Sequence, residues 1–264
     1  MRRVATISVF MFAAALISYG HEFWLQPVKY FISAGERMTA RFVVGENFQG
    51  EPWDLKKHRI EKLEVHEAAG MRSVIDSLNI EAGLFQSSFA DAGTKMLVIQ
   101  SNSAFIELAG DKFNEYLKED GLDEVYAVRE KAKLLQAPAR ELYSRHSKLF
   151  IQVGDKLDDV YQKIAGLPIE IVPTKNPCEL KKGDEVHFHV IFKGKPLFGA
   201  KVRIWNRFDN RTTIQNIYTE KDGSISMRIS NSGAWMVSVV KMVPSQDSKA
   251  DWQSYWGSLV FGIK

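Results

Sequence analysis

Apolar and polar side chains alternate through residues 38–45, where Met38, Ala40, Phe42 and Val44 interleave with Thr39, Arg41 and Val43. A period of two marks a strand with one buried face, because successive strand side chains point to opposite sides. Residues 60–66 (Ile60-Glu-Lys-Leu-Glu-Val-His66) and 95–101 (Lys95-Met-Leu-Val-Ile-Gln-Ser101) read the same way. Residues 186–192 do too, with Val186, Phe188 and Val190 on one face and His187 and His189 on the other. Turn chemistry punctuates these runs at Ala34-Gly-Glu36, Gly194-Lys-Pro196 and Asp222-Gly223. Text of this kind commits the chain to a mainly β fold.

The texture breaks once. Phe113, Tyr116 and Leu117 have helical spacing and Gly121 supplies a stop. Residues 122–135 continue helically until Pro138, and residues 148–154 return to strand. The expected organisation is a β-sandwich over residues 21–155 carrying a helical insertion at 112–135. A charged connector at 156–166 follows, then an all-β, immunoglobulin-like sandwich over 167–264, with Glu220-Lys-Asp-Gly223 as a hairpin turn.

The amino terminus reads as a cleavable secretory signal. Arg2 and Arg3 precede an apolar stretch at residues 4–17, and Ser18 and Gly20 put small residues at the −3 and −1 positions. The stretch falls short of the roughly 20 apolar residues that a membrane-spanning helix needs. Cleavage after Gly20 would make His21 the first residue of a periplasmic or secreted protein. The formal charge of +3 drops to +1 once Arg2 and Arg3 are gone, which offers no electrostatic case for nucleic acid or an anionic membrane. A single cysteine, Cys178, excludes internal disulfides and cysteine-based zinc patterns, and is expected half-buried at the start of a strand.

Several segments together resemble a known family. They are the opening His21-Glu-Phe-Trp-Leu-Gln-Pro27, Val44-Gly-Glu-Asn-Phe-Gln-Gly50, Ser101-Asn-Ser-Ala-Phe-Ile-Glu-Leu108, residues 113–122, Tyr143-Ser-Arg145 and Gly194-Lys-Pro-Leu-Phe-Gly-Ala200. The chain is similar over its whole expected mature length to the DUF4198 family of exported bacterial proteins, which once carried the label of substrate-specific component of nickel uptake. The resemblance implies a periplasmic accessory to a membrane transporter component. It does not imply a permease, because no further segment is long and apolar enough to span a bilayer.

Candidate chemistry centres on His21. A free α-amine beside its own imidazole can chelate one Cu(II) or Ni(II) through two nitrogens, metals that favour such donors. Phe23 at the third position removes the three-residue amino-terminal copper/nickel motif. A specific site needs a further donor, and His146 is the expected companion, since it shares the first sandwich and sits in a segment that matches the family. His187 and His189 share a strand face and could hold a metal, although solvated surface residues are the simpler reading. His58 and His66 have no companion pattern. Arg145 is expected to pair with a carboxylate, and the carboxylates at Glu107, Asp111, Glu115 and Glu119 to line a solvated helix face. No nucleophile elbow, metalloprotease helix, phosphate loop or calcium loop is present.

These features point to a non-enzymatic metal-binding accessory for nickel, cobalt or copper, used in uptake or buffering. Two other classes remain open. Trp252, Tyr255 and Trp256, with Trp205 and Trp235, could stack on sugar rings in a structural or glycan-binding module. A copper oxygenase with a histidine brace would require a second histidine beside His21.

Overall fold

The computed structural model describes residues 21–264, so the expected signal at residues 1–20 lies outside the described residues. The first half runs β1 (Glu22–Pro27), β2 (Phe31–Ile32), β3 (Arg37–Glu46), β4 (Gln49–Pro52), β5 (Ile60–Glu67), β6 (Gly70–Ser73), β7 (Leu78–Asn79), β8 (Leu84–Ser88), β9 (Gly93–Ser101) and β10 (Ala104–Leu108). Helices α1 (Gly110–Glu119) and α2 (Asp123–Lys131) then lead into the 15-residue β11 (Ala139–Val153). The second half comprises β12 (Ile169–Pro173), β13 (Glu185–Phe192), β14 (Lys195–Pro196), β15 (Lys201–Phe208), β16 (Arg211–Tyr218), β17 (Ser224–Arg228), β18 (Gly233–Pro244) and β19 (Trp252–Ile263). With 53% strand and 11% helix, the chain is mainly β and builds β-sandwiches.

The strands form three sheets. A ten-stranded sheet runs β16-β15-β18-β19-β11-β9-β5-β6, with β2 and β10 added against β11. A five-stranded sheet, β1-β3-β8-β7 with β4 on β3, and a four-stranded sheet, β12-β13-β14 with β17 on β13, complete the set. The large sheet is apolar on both faces. One core holds Phe42 and Phe85 of the five-stranded sheet against Leu97, Ile99, Leu149 and Ile151 of β9 and β11. The other holds Phe188 and Val190 of the four-stranded sheet against Met96, Val98, Phe150 and Phe261. Neighbouring residues of β9 and β11 therefore belong to different cores. The molecule is two sandwiches with a common middle layer.

This arrangement departs from the expected pair of independent sandwiches at 21–155 and 167–264. Strand β11 of the first half and β19 of the second pair in parallel, from Glu141↔Trp252 to Leu149↔Val260. The physical reason is the run Leu149-Phe-Ile151, which has no polar face to give to water and must be covered on both sides. The connector is built into the same arrangement. Val160, Ala165 and Leu167 enter the second core, and Lys163 Nζ donates to the Glu67 carbonyl at 2.7 Å.

Other expectations hold locally. In β3, Met38, Ala40 and Phe42 are buried while Arg37 and Arg41 are exposed. In β13, Val186, Phe188 and Val190 are buried and His187 faces solvent. Phe113, Tyr116 and Leu117 of α1 pack on Trp252, Trp256 and Met242 in a third apolar cluster that seats the helices on one end of the large sheet. Gly121, at φ +69°, ends α1 in a Schellman turn: Leu122 N donates to Leu117 O at 2.8 Å and Gly121 N to Lys118 O at 3.3 Å. The turn at Glu220–Gly223 forms, with Gly223 N donating to Glu220 O at 2.9 Å, but it is not a hairpin. It carries the chain from β16 in the large sheet to β17 in the four-stranded one. Cys178 lies in a short 3-10 turn, Pro177–Glu179, rather than in a strand. No helix among the described residues is long and apolar enough to cross a membrane.

Candidate functional site

His21 directly precedes β1, which is laid down antiparallel on β3 from Glu22↔Gly45 onwards. Its carbonyl accepts a hydrogen bond from Arg145 Nη1 at 3.1 Å. The first expected site residue is therefore held by the sheet on one side and by a side chain of β11 on the other.

Arg145 is the unusual member of this region. It is only 8% exposed and forms no ion pair among the described residues, against the expected carboxylate partner. Its guanidinium lies 5.7 Å from the Phe23 ring, 5.5 Å from Tyr143 and 5.9 Å from Trp256. Aromatic faces attract a cation, and here they replace the missing carboxylate as its immediate surroundings. Its Nε atom is buried without a partner. Burial lowers the affinity of this guanidinium for its proton, while Tyr143, Glu22, Tyr116 and Glu141 around it favour the charged form.

Two buried carboxyl clusters flank the box. Arg203 Nη1 bridges Glu22 at 3.2 Å and Asp120 at 2.6 Å, tying the start of β1 to the end of α1. Burial raises both carboxyls above their ordinary range despite the arginine. On the other side Glu141 accepts hydrogen bonds from Ser254 Oγ and, at 3.2 Å, from Tyr116 Oη. Burial pushes Glu141 up to about 7.

His58 stands at the open side of the same box. It stacks on Trp53 at 4.8 Å with the rings 12° apart and lies 6.3 Å from the Tyr143 ring. Trp53 in turn meets Phe23 edge-on at 4.9 Å. Half-burial, and next the positive charge of Arg145, push the His58 imidazole below its ordinary range.

His146 is placed elsewhere. Adjacent strand residues point to opposite faces, so His146 turns away from the Arg145 box toward the second core. It is 1% exposed, stacks 6.0 Å from Tyr255, and puts Nδ1 3.3 Å from the Trp256 carbonyl. Its Nε2 has no partner, and burial pushes the imidazole down to about 4. Two residues along on the same face, Lys148 forms a buried ion pair with Glu170 of β12, whose carboxylate also accepts from Leu167 N at 2.7 Å and Ala165 N at 3.0 Å. The sheet thus separates His146 from the box that holds His21, and His146 cannot complete an amino-terminal chelate.

The remaining histidines do not gather either. His66 Nε2 is 3.0 Å from Glu64, while His187 and His189 lie on β13 in the four-stranded sheet. No group of three or more His, Cys, Asp or Glu side chains is placed to hold a metal among the described residues. The tryptophans read as a sugar-stacking surface are core: Trp205, Trp235, Trp252 and Trp256 are all buried. Sequence reading passed over Arg145 and His58 because the signal is spatial. His58 lies 87 positions from Arg145, and only the sheet joins them.

The family model described as "Domain of unknown function (DUF4198)" matches residues 18–242. The chain belongs to the DUF4198 family. Its match takes in β1, His58, Tyr143 and Arg145, while Trp256, the third ring beside Arg145, lies beyond it. Comparison of this DUF4198 chain with curated proteins returns no match. Among solved structures, the chicken interferon gamma receptor alpha chain aligns with 9% identity over 83% of this chain and 88% of its own, at a TM-score of 0.21. Escherichia coli alpha-2-macroglobulin aligns with 13% identity over 93% of this chain and 14% of its own, at 0.22. PorU from Porphyromonas gingivalis aligns with 9% identity over 92% and 20%, at 0.20. Likenesses this distant carry no argument about the DUF4198 site.

Proposed function

We propose that the protein, once cleaved ahead of His21, is a non-catalytic binding protein of the periplasm or cell exterior. Its cargo is a transition-metal ion, copper(II), nickel(II) or cobalt(II), taken up for buffering or for delivery to a membrane transporter component. The observation that supports this reading is the fixing of His21 between the β1–β3 pairing and the Arg145 hydrogen bond.

Cleavage would free an α-amine on a residue whose backbone is already ordered. The amine and Nδ1 then close a chelate without first freezing a loose terminus, which removes part of the ordering cost of binding. The charge around the site is mixed. Arg145 and Arg203 oppose a cation, and Glu22 and Asp120 offset them. The fit to a metal is therefore a matter of nitrogen donors rather than of an acidic pocket.

The test is calorimetric titration of Cu(II) and Ni(II) into protein beginning at His21 and into protein with one extra residue ahead of it. The extension converts the amine to an amide, so one-to-one binding should be lost. Equal affinity in the two proteins would sink the reading.

A further inference from the structure

We propose that His58 supplies the third nitrogen of the His21 metal site, giving a donor set of one amine and two imidazoles suited to Cu(II). The inference rests on the amino-terminal reading above and deepens it.

Five contacts close a circuit around the box. His21 O meets Arg145 at 3.1 Å, Arg145 meets Tyr143 at 5.5 Å, and Tyr143 meets His58 at 6.3 Å. His58 meets Trp53 at 4.8 Å, and Trp53 meets Phe23 at 4.9 Å, two residues from where the circuit began. His21 and His58 thus both stand around Arg145, His21 through its carbonyl and His58 one ring away across Tyr143. His146 has no place in that circuit.

The box is fixed on the His58 side as well. Trp53 N donates to Phe42 O at 2.9 Å, anchoring the segment to β3, and His58 N donates to Asp54 O at 3.1 Å, closing the turn. Trp53 is buried, so the stacked imidazole rests on an immobile platform. Among the described residues no hydrogen-bond partner claims a ring nitrogen of either His21 or His58. The other histidines fail on placement: His66 is engaged by Glu64, and His187 and His189 lie in a different sheet.

Three nitrogen donors with an open position match the preference of Cu(II) for tetragonal nitrogen sites. This is the donor set that the histidine-brace reading of the sequence requires. The proposal concerns binding alone.

The deciding experiment uses protein beginning at His21, loaded with one equivalent of Cu(II). Electron paramagnetic resonance counts the coordinated nitrogens, with and without 15N-histidine, and competition titration gives the affinity. The probe proteins are wild type, His58→Phe, His146→Ala and the one-residue extension. Phenylalanine keeps a ring on Trp53 but offers no donor. The expected result is three nitrogens in wild type and two in His58→Phe, with affinity at least about tenfold weaker, the scale on which even outer-shell partners act. His146→Ala should leave the nitrogen count unchanged. Loss of binding on extension with no effect of His58→Phe would overturn the role of His58 and leave the amino-terminal site standing. No effect of the extension would overturn both. Should His58→Phe not fold, the wild-type count still decides: two nitrogens refute the proposal.

Discussion

Acid should weaken this protein through His146, and the size of the effect can be worked from its surroundings. The ring is 1% exposed, with Nδ1 against a carbonyl and Nε2 against nothing polar. On its own face stand Lys148, which resists a second positive charge, and Glu170, which favours one but is already paired. Burial dominates and lowers the imidazole from 6.5 to about 4. A group that titrates at 6.5 when unfolded and at about 4 when folded binds its proton more readily in the unfolded chain. Its contribution to stability is therefore complete above pH 6.5 and is lost progressively as pH falls toward 4. At about 1.4 kcal/mol per pH unit, the loss over that window is about 3 kcal/mol. Glu141 and Asp120 titrate against it, since burial raises their carboxyls and favours the folded state in acid. The effect must then be read as a difference. His146→Phe keeps a ring against Tyr255 and cannot protonate. Denaturant unfolding of both proteins at pH 7, 6, 5 and 4 should show the gap moving by about 3 kcal/mol in favour of the variant, on the order of 10 °C in Tm. A gap that moves by less than about 1 kcal/mol across the series would mean that the imidazole ionises inside the folded protein, and the argument from burial would be refuted.

Two further outcomes follow from charge and backbone strain. Lys148→Met should cost about 3–5 kcal/mol, because it leaves the Glu170 carboxylate buried with only two backbone amides as partners; an unchanged denaturant midpoint would show that the pair is solvated. Gly121→Ala should cost more than Gly83→Ala. Both residues have positive φ, a strain of about 1–2 kcal/mol for alanine, but only at Gly121 would the new methyl meet Lys201 Cβ at 2.8 Å. Thermal unfolding of the two variants side by side checks this, and equal losses would remove the clash from the account.

Much of the local structure was legible. The alternation at Met38–Val44 and at Val186–Val190, and the helical triplet ended by Gly121, are decided by neighbours a few residues apart. Longer range defeated the reading. The run Met96-Leu-Val-Ile99 looked half-buried, yet its residues alternate between two cores, and only the partner sheets reveal that both faces are covered. The β11–β19 pairing joins residues 111 apart in parallel, and a parallel neighbour leaves no turn signal in the chain. The site failed for the related reason that one residue decides a face. Arg145 and His146 are consecutive, so the sequence could not tell which of them would meet His21, and the arginine did.

Strand β19 lies between β11 and β18, and its pairings span Trp252–Ile263. A chain delivered amino-terminus first must therefore hold β11 with one edge open and Leu149-Phe-Ile151 uncovered until residues 252–263 arrive. Neither core can close early, and the contacts that close them have high sequence separation, the feature that slows folding most. Such a chain is open to aggregation along the β11 edge for the whole of that interval. The middle of the large sheet thus closes only when β19, the latest of the described strands in chain order, is in place, and the rest of the fold waits on it.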